Sequence, residues 1–297
     1  MTTPEFTANR ENYCYRHPDR QSFVLCQRCL RTICPECQTQ GPVGVVCPEC
    51  MAAQRKNETS AQRRARRRQG GALVAVRDTR PLATYAIIAI TSAVSLLAMI
   101  PGLGGSITGA LMFAAPYLYP NLSVYPFEPW RLLTALLVHG GFIHLALNML
   151  ALWMIGRSLE PVLGRWRYVA LYLISGLGGS VMAACLAPGT AVVGASGAIF
   201  GLMAALLIIG RHLGANVTSI LVVLGVNFAF GVFVSGISWQ AHLGGVLVGA
   251  LVAYIFTRTR RREQRTLQIV LLVAVVLALI AIVAFVPPAL ILAGVFR

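Results

Sequence analysis

Beyond residue 80 the chain alternates long apolar runs, free of Asp, Glu, Lys and Arg, with short breaks that carry arginine. A bilayer core takes about 20 apolar residues per helix, and on that measure the runs predict seven membrane spans. The first is bracketed by prolines, Leu82 to Ile100, and the second falls between Arg131 and Arg157. Residues 168–210 have the length for two helices with a turn at 187–190; residues 213–257 hold two more, broken near 235–238. After the basic stretch 258–265 comes a seventh run, Leu267 to Val286. Upstream the pattern changes to a polar, Cys-rich head at 1–52 and a basic linker at 53–80, ahead of a six-helix core at 81–257 and a basic loop with the seventh helix at 258–297. No cleavable leader is expected, because the first fifty residues hold no apolar core of the kind a signal peptide needs.

Composition agrees with an all-α polytopic membrane protein: 57% of residues are hydrophobic and 12% charged, against about 45–50% and about 25% in soluble domains. The net charge of +15 rests on arginine, with Lys56 the only lysine. In a soluble chain this would point to nucleic acid. Here it reads first as the charge that retains loops in the cytoplasm, and no nucleic-acid partner is expected. With the linker inside, Arg157, Arg165, Arg167, Arg211 and the 258–265 cluster also fall inside; only Arg131 and Arg297 fall outside. The expected setting is the cell membrane, with a cytoplasmic N-terminus and an extracytoplasmic C-terminus. The run at 63–68, with Arg77 and Arg80, is expected to anchor the topology and to touch anionic lipid headgroups. The external loop at 101–140 is rich in Gly, Pro, Tyr and Trp, which suggests a segment resting in the membrane interface.

The head carries four two-residue knuckles: Cys14 with His17, Cys26 with Cys29, Cys34 with Cys37, and Cys47 with Cys50. Eight ligands make two tetrahedral zinc sites. A disulfide framework fails on parity, since seven cysteines leave one over, and on a reducing compartment. So short a segment also lacks a sufficient core without such staples. With every position filled, the two Zn2+ ions are expected to be structural, no cofactor is expected for catalysis, and the head is expected to bind a cytoplasmic protein partner. Spacing alone leaves open which knuckles share an ion. The short link between the second and third resembles cross-braced B-box or RING-like fingers. That likeness implies Cys14, His17, Cys34 and Cys37 on one ion and Cys26, Cys29, Cys47 and Cys50 on the other.

Polar groups within apolar spans are costly and point to function. The second span offers His139, His144 and Asn148, the fourth begins at Ser196 among glycines, and the sixth carries His242. His144 and Asn148 are four apart and share a helical face. All three spans run from outside to inside, so these residues should gather at one depth below the outer surface. Gly197 and Gly201 on the fourth span, and Ala241, Gly245 and Gly249 on the sixth, allow close backbone approach. A serine beside a histidine is a nucleophile with its general base. No Asp or Glu lies between Glu160, expected to face the cytoplasm, and Glu263, so the pair would act as a dyad. His144, Asn148 and the Ser196 N–H can then serve as oxyanion donors. Cys185 reads as a buried thiol in the third span.

Together, residues 128–131 (EPWR), 139–148 (HGGFIHLALN), 194–197 (GASG) and 241–249 (AHLGGVLVG) resemble the rhomboid family of intramembrane serine proteases. The resemblance covers about residues 81 to 257. It implies Ser196 as nucleophile, His242 as base, and His144 with Asn148 at the oxyanion site. It also implies substrates that are themselves membrane helices, cleaved near the outer face, while Trp130 and Arg131 resemble a structural anchor. Two departures stand out: Phe200 replaces a tyrosine often found there, and a seventh span follows the six-helix core. A non-proteolytic rhomboid-like protein that binds membrane clients is the alternative, and a small-molecule transporter is a more distant one. Intact Ser196 and His242 argue against the first, and the charge-free inner halves of spans four to six against the second.

Overall fold

The computed structural model describes residues 10–40, 44–57, 80–234 and 236–293. Its chain divides into two compact units, Met1–Asp78 and Thr79–Arg297. The arginine run at 63–68, Arg77 and Arg297 lie outside the described residues.

The first unit is built from short pieces. Strand β1 (Thr39–Gln40) pairs antiparallel with β2 (Val45–Val46), and helix α1 (Pro48–Lys56) follows. Helix α1 starts on a proline, whose missing N–H is harmless there, and the Cys47 sulfur accepts from the Cys50 N–H at its first turn. The buried core consists of Ile33, Val46 and the cysteines themselves. So little apolar material cannot hold a fold without cross-links.

The second unit is helical: α2 (Leu82–Leu97), α3 (Gly104–Leu111), α4 (Arg131–Thr134), α5 (Phe142–Leu163), α6 (Arg165–Leu186), α7 (Ser196–His212), α8 (Thr218–Phe233), α9 (Trp239–Arg258) and α10 (Arg265–Leu292). Helices α5, α6 and α9 and the segment Arg262–Leu292 are long and apolar enough to cross a membrane; α2, α7 and α8 are shorter apolar helices. These seven occupy the seven expected runs. Helix α6 is the most enclosed, packed against α7, α9 and α10, while α2 leans on α5.

Two boundaries differ from the charge pattern. The second span begins at Phe142, because residues 131–137 coil as α4 and a 3-10 turn before Val138 turns extended. His139 therefore precedes the helix. At its other end α5 runs through Arg157, whose guanidinium lies 4.4 Å from the Trp153 ring, and stops at Gly164, where φ is +82°. The seventh helix likewise continues past Val286 through Pro287 and Pro288. Pro287 has no N–H to offer the Val283 carbonyl one turn back. That carbonyl instead accepts the Tyr119 hydroxyl from the long first loop.

Glu160 has a role the charge pattern does not show. It is buried, and its carboxylate accepts from the N–H groups of Ala83 at 2.9 Å and Thr84 at 2.8 Å and from the Thr84 hydroxyl at 2.7 Å. It caps α2 from a neighbouring helix, where an anion also meets the positive end of the helix dipole.

The loop at 101–140 is ordered around Arg131. This buried side chain pairs with Glu128, donates to the carbonyls of Gly109 and Met112, and stacks 3.9 Å above the Tyr117 ring. Phe113 and Val192 then exchange backbone hydrogen bonds of 3.1 and 2.7 Å. The loop is thereby stitched to the segment that leads into α7.

Candidate active site and metal clusters

Helices α7 and α9 meet without side chains between them. A Cβ added at Gly245 would strike the Gly197 carbonyl, and one at Gly249 would strike the Gly201 backbone. This contact brings His242, on the first turn of α9, to Ser196 at the head of α7. Their Nε2 and Oγ atoms are 2.9 Å apart. The Ser238 hydroxyl caps α9 by accepting from the Ala241 N–H. The ring of Phe200 lies parallel to His242, 4.0 Å between centroids and 11° between planes. Stacking thus persists without a phenol hydroxyl. Among the described residues no group hydrogen-bonds the His242 Nδ1, so no carboxylate orients the imidazole.

Ser196 and His242 open into a cavity of about 1110 Å³ that His144 and Asn148 of α5 also line. One Asn148 amide proton is spent on the His144 carbonyl at 2.8 Å, leaving a second to donate. Ahead of Ser196, Gly194 turns with φ +113°, and a side chain there would meet the His144 ring at 2.9 Å. Only glycine serves at this corner. The Gly194 N–H donates to the Ala135 carbonyl at 2.9 Å and the Ala195 N–H to His139 Nε2 at 3.3 Å. The Ser196 N–H heads the helix, where no intrahelical acceptor exists. His139 is the residue whose part in the site the sequence left unassigned. It was visible there only as one more intramembrane histidine, and its partners Ser95 and Ala195 lie 44 and 56 residues away.

In the first unit the eight ligands gather in two groups, Cys14, His17, Cys34 and Cys37, and Cys26, Cys29, Cys47 and Cys50, with ligand atoms within 4.8 Å of one another. This is the cross-braced grouping. His17 Nδ1 stands 3.8 Å from Cys14 Sγ and 3.4 Å from those of Cys34 and Cys37, and Cys29 and Cys47 sulfurs are 3.7 Å apart. A tetrahedron with zinc–sulfur bonds of about 2.3 Å has ligand–ligand edges of roughly 3.8 Å. The donor set points the same way. Burial raises the Cys14 and Cys26 thiols, but backbone N–H groups draw both down further, to about 6. Cys37 is raised to about 11 by burial and the Cys14 and Cys34 sulfurs, and Cys50 to about 12 by Cys47 and burial. Sulfurs this close cannot all ionise unless a dication sits among them.

The site defines a class: a polytopic helical membrane protein with a serine–histidine pair at the head of two closely packed helices. Comparison with known proteins gives the family. Residues 126–259 match the Rhomboid domain family. The chain is 34% identical over 152 residues to "Putative rhomboid protease YdcA" of Bacillus subtilis (strain 168), covering 48% of this chain and 75% of that one. It is 35% identical over 205 residues to "Rhomboid protease GluP" of the same organism, covering 66% of this chain and 39% of that one. To "RHOMBOID-like protein 5" of Arabidopsis thaliana it is 42% identical over 139 residues, covering 43% and 44% respectively. The chain belongs to the rhomboid family. It spans less than half the length of two of these three relatives, and outside the matched domain it carries a Cys/His-rich first unit suited to holding metal.

Proposed function

We propose that the chain is an intramembrane serine endopeptidase that cleaves transmembrane segments of membrane proteins. The observation that carries this reading is the 2.9 Å approach of His242 Nε2 to Ser196 Oγ inside the cavity. Relatives named as rhomboid proteases support it. Ser196 Oγ attacks the scissile carbonyl carbon while His242 Nε2 takes its proton. The developing oxyanion receives the Ser196 N–H, the remaining Asn148 amide proton and His144. His242 then gives its proton to the departing amine. Water, deprotonated by the same nitrogen, attacks the acyl ester and frees Ser196. Phe200 fixes the imidazole plane, the work a carboxylate does in a triad.

The finer setting belongs to the same proposal. The N-terminus is cytoplasmic, the C-terminus extracytoplasmic, and the catalytic pair lies just below the outer face of the cell membrane. The linker arginines contact anionic lipids, and two structural zinc ions hold the head as a module for a cytoplasmic protein partner. Incubation with a labelled single-span substrate tests the core of it. Ser196→Ala should lower cleavage by about 10³-fold or more, and a fluorophosphonate should label the parent but not the variant. Cleavage persisting in the variant removes Ser196 from the chemistry. Elemental analysis should find about two zinc ions per chain, since eight ligands fill two four-coordinate sites; none at all would end the metal assignment.

A further inference from the structure

We propose that His139 is a positioning residue for the nucleophile, acting through the backbone of the turn that carries Ser196; this rests on the peptidase reading above. His139 is buried, 4% exposed, in the stretch between α4 and α5. Its Nδ1 lies 2.9 Å from Ser95 Oγ on α2, and that hydroxyl lies 2.8 Å from the Leu137 carbonyl. Its Nε2 receives the Ala195 N–H at 3.3 Å.

The proton inventory of this chain has a single solution. An amide N–H only donates, so Nε2 must carry a lone pair and the ring proton sits on Nδ1. Nδ1 then donates to Ser95 Oγ, and the lone hydroxyl proton of Ser95 goes to Leu137. Every member is satisfied with His139 neutral. The result is a brace from α2, through the loop before the oxyanion residues, to the residue preceding Ser196. It also takes the Ala195 N–H out of contention as an oxyanion donor and leaves the Ser196 N–H to that task. A second proton on the ring would set N–H against N–H at Ala195 and push the turn away. The titratable group facing His139 is His144, ring to ring at 5.0 Å. The other elements around it present the Ser95 hydroxyl from α2 and backbone of the α7 turn. The brace therefore works only in the neutral state, as His242 does as a base.

The test follows the rate at which a fluorophosphonate labels Ser196 in the purified full chain. Small displacements of a reacting atom lower rates by up to about 10²-fold. His139→Leu should therefore label at least about tenfold more slowly than the parent. His139→Gln, whose Oε1 reaches the Nε2 position, should label within about threefold of the parent. His139→Asn keeps the Ser95 contact but stops short of Ala195, and it should be as slow as the leucine variant. The acid limb of the parent's rate profile should approach a slope of two, one proton each for His139 and His242, and that of His139→Gln a slope of one. Parental labelling by His139→Leu, equal rates for Gln and Asn, or an unchanged acid slope in His139→Gln would each overturn the proposal. Labelling reads the Ser196 hydroxyl alone. A parent that labels but cleaves no membrane segment would end the peptidase reading and leave the positioning role standing.

Discussion

Helices α8 and α9 are consecutive in the chain and opposite in character. Helix α9 buries three glycines and His242 against α6 and α7, backbone nearly touching backbone. Helix α8 buries only Gly231 among its described residues and leaves Val226, Phe230 and Phe233 more than half exposed. Both border the cavity. One wall of the cavity is thus fixed by sterics, and the other has few contacts within the protein. On the proposed function the two walls divide the work: one keeps the Ser196–His242 pair from drifting, and the other can yield to an incoming segment.

Substitutions can break this contrast in graded steps. The largest effect is expected from Gly245→Val, which drives a branched side chain into the Gly197 carbonyl. Overpacking of this kind destabilises by about 1–3 kcal/mol or more. Separating Ser196 from His242 should also reduce labelling by about 10²-fold, so both the unfolding temperature in detergent and the labelling rate should fall. Glu160→Gln comes next: replacing a buried carboxylate that accepts three hydrogen bonds should remove about 2 kcal/mol of stability. Its labelling rate at low temperature should stay parental, because the cap acts on the first turn of α2 whereas Ser95, which meets His139, sits in its last turn. A smaller change is expected of Phe200→Leu, which removes a stacking contact worth about 0.5–1.5 kcal/mol. That corresponds to a fall of about two- to thirteenfold in kcat/KM, while Phe200→Tyr should be nearly silent. Smallest of all is Val226→Ala on exposed α8, expected within about 0.5 kcal/mol of the parent in stability. A large loss of stability there would contradict the idea of a loosely held wall.

Much of this was readable beforehand, for identifiable reasons. The seven apolar helices follow from charge-free length. The meeting of α7 and α9 follows from small residues at four-residue spacing; the eight Cys/His ligands follow from knuckle spacing, while their grouping was implied only by the likeness to cross-braced fingers. What escaped depends on partners distant in the chain. Residues 132–138 read as part of an apolar span, and only the Gly140–Gly141 pair marks locally the break before α5. Glu160 shows no partner in the sequence until α2, 76 residues away, supplies the N–H groups it caps. His139 shows its use only once Ser95 and Ala195 stand on either side of it. Phe200 was legible as a departure and kept its place because stacking needs the ring alone.

The hydroxyl of Tyr119 resting on the Val283 carbonyl gives the last helix an obligation to the first loop. Trimming the protein back to its six-helix body would therefore remove the acceptor of a buried hydroxyl. It would strand a phenol in a greasy surround and unseat the strap that leads, by way of Phe113 and Val192, to the turn before Ser196. Shortened forms meant for crystallisation or display should retain residues up to at least Pro287, or change Tyr119 to phenylalanine along with the cut.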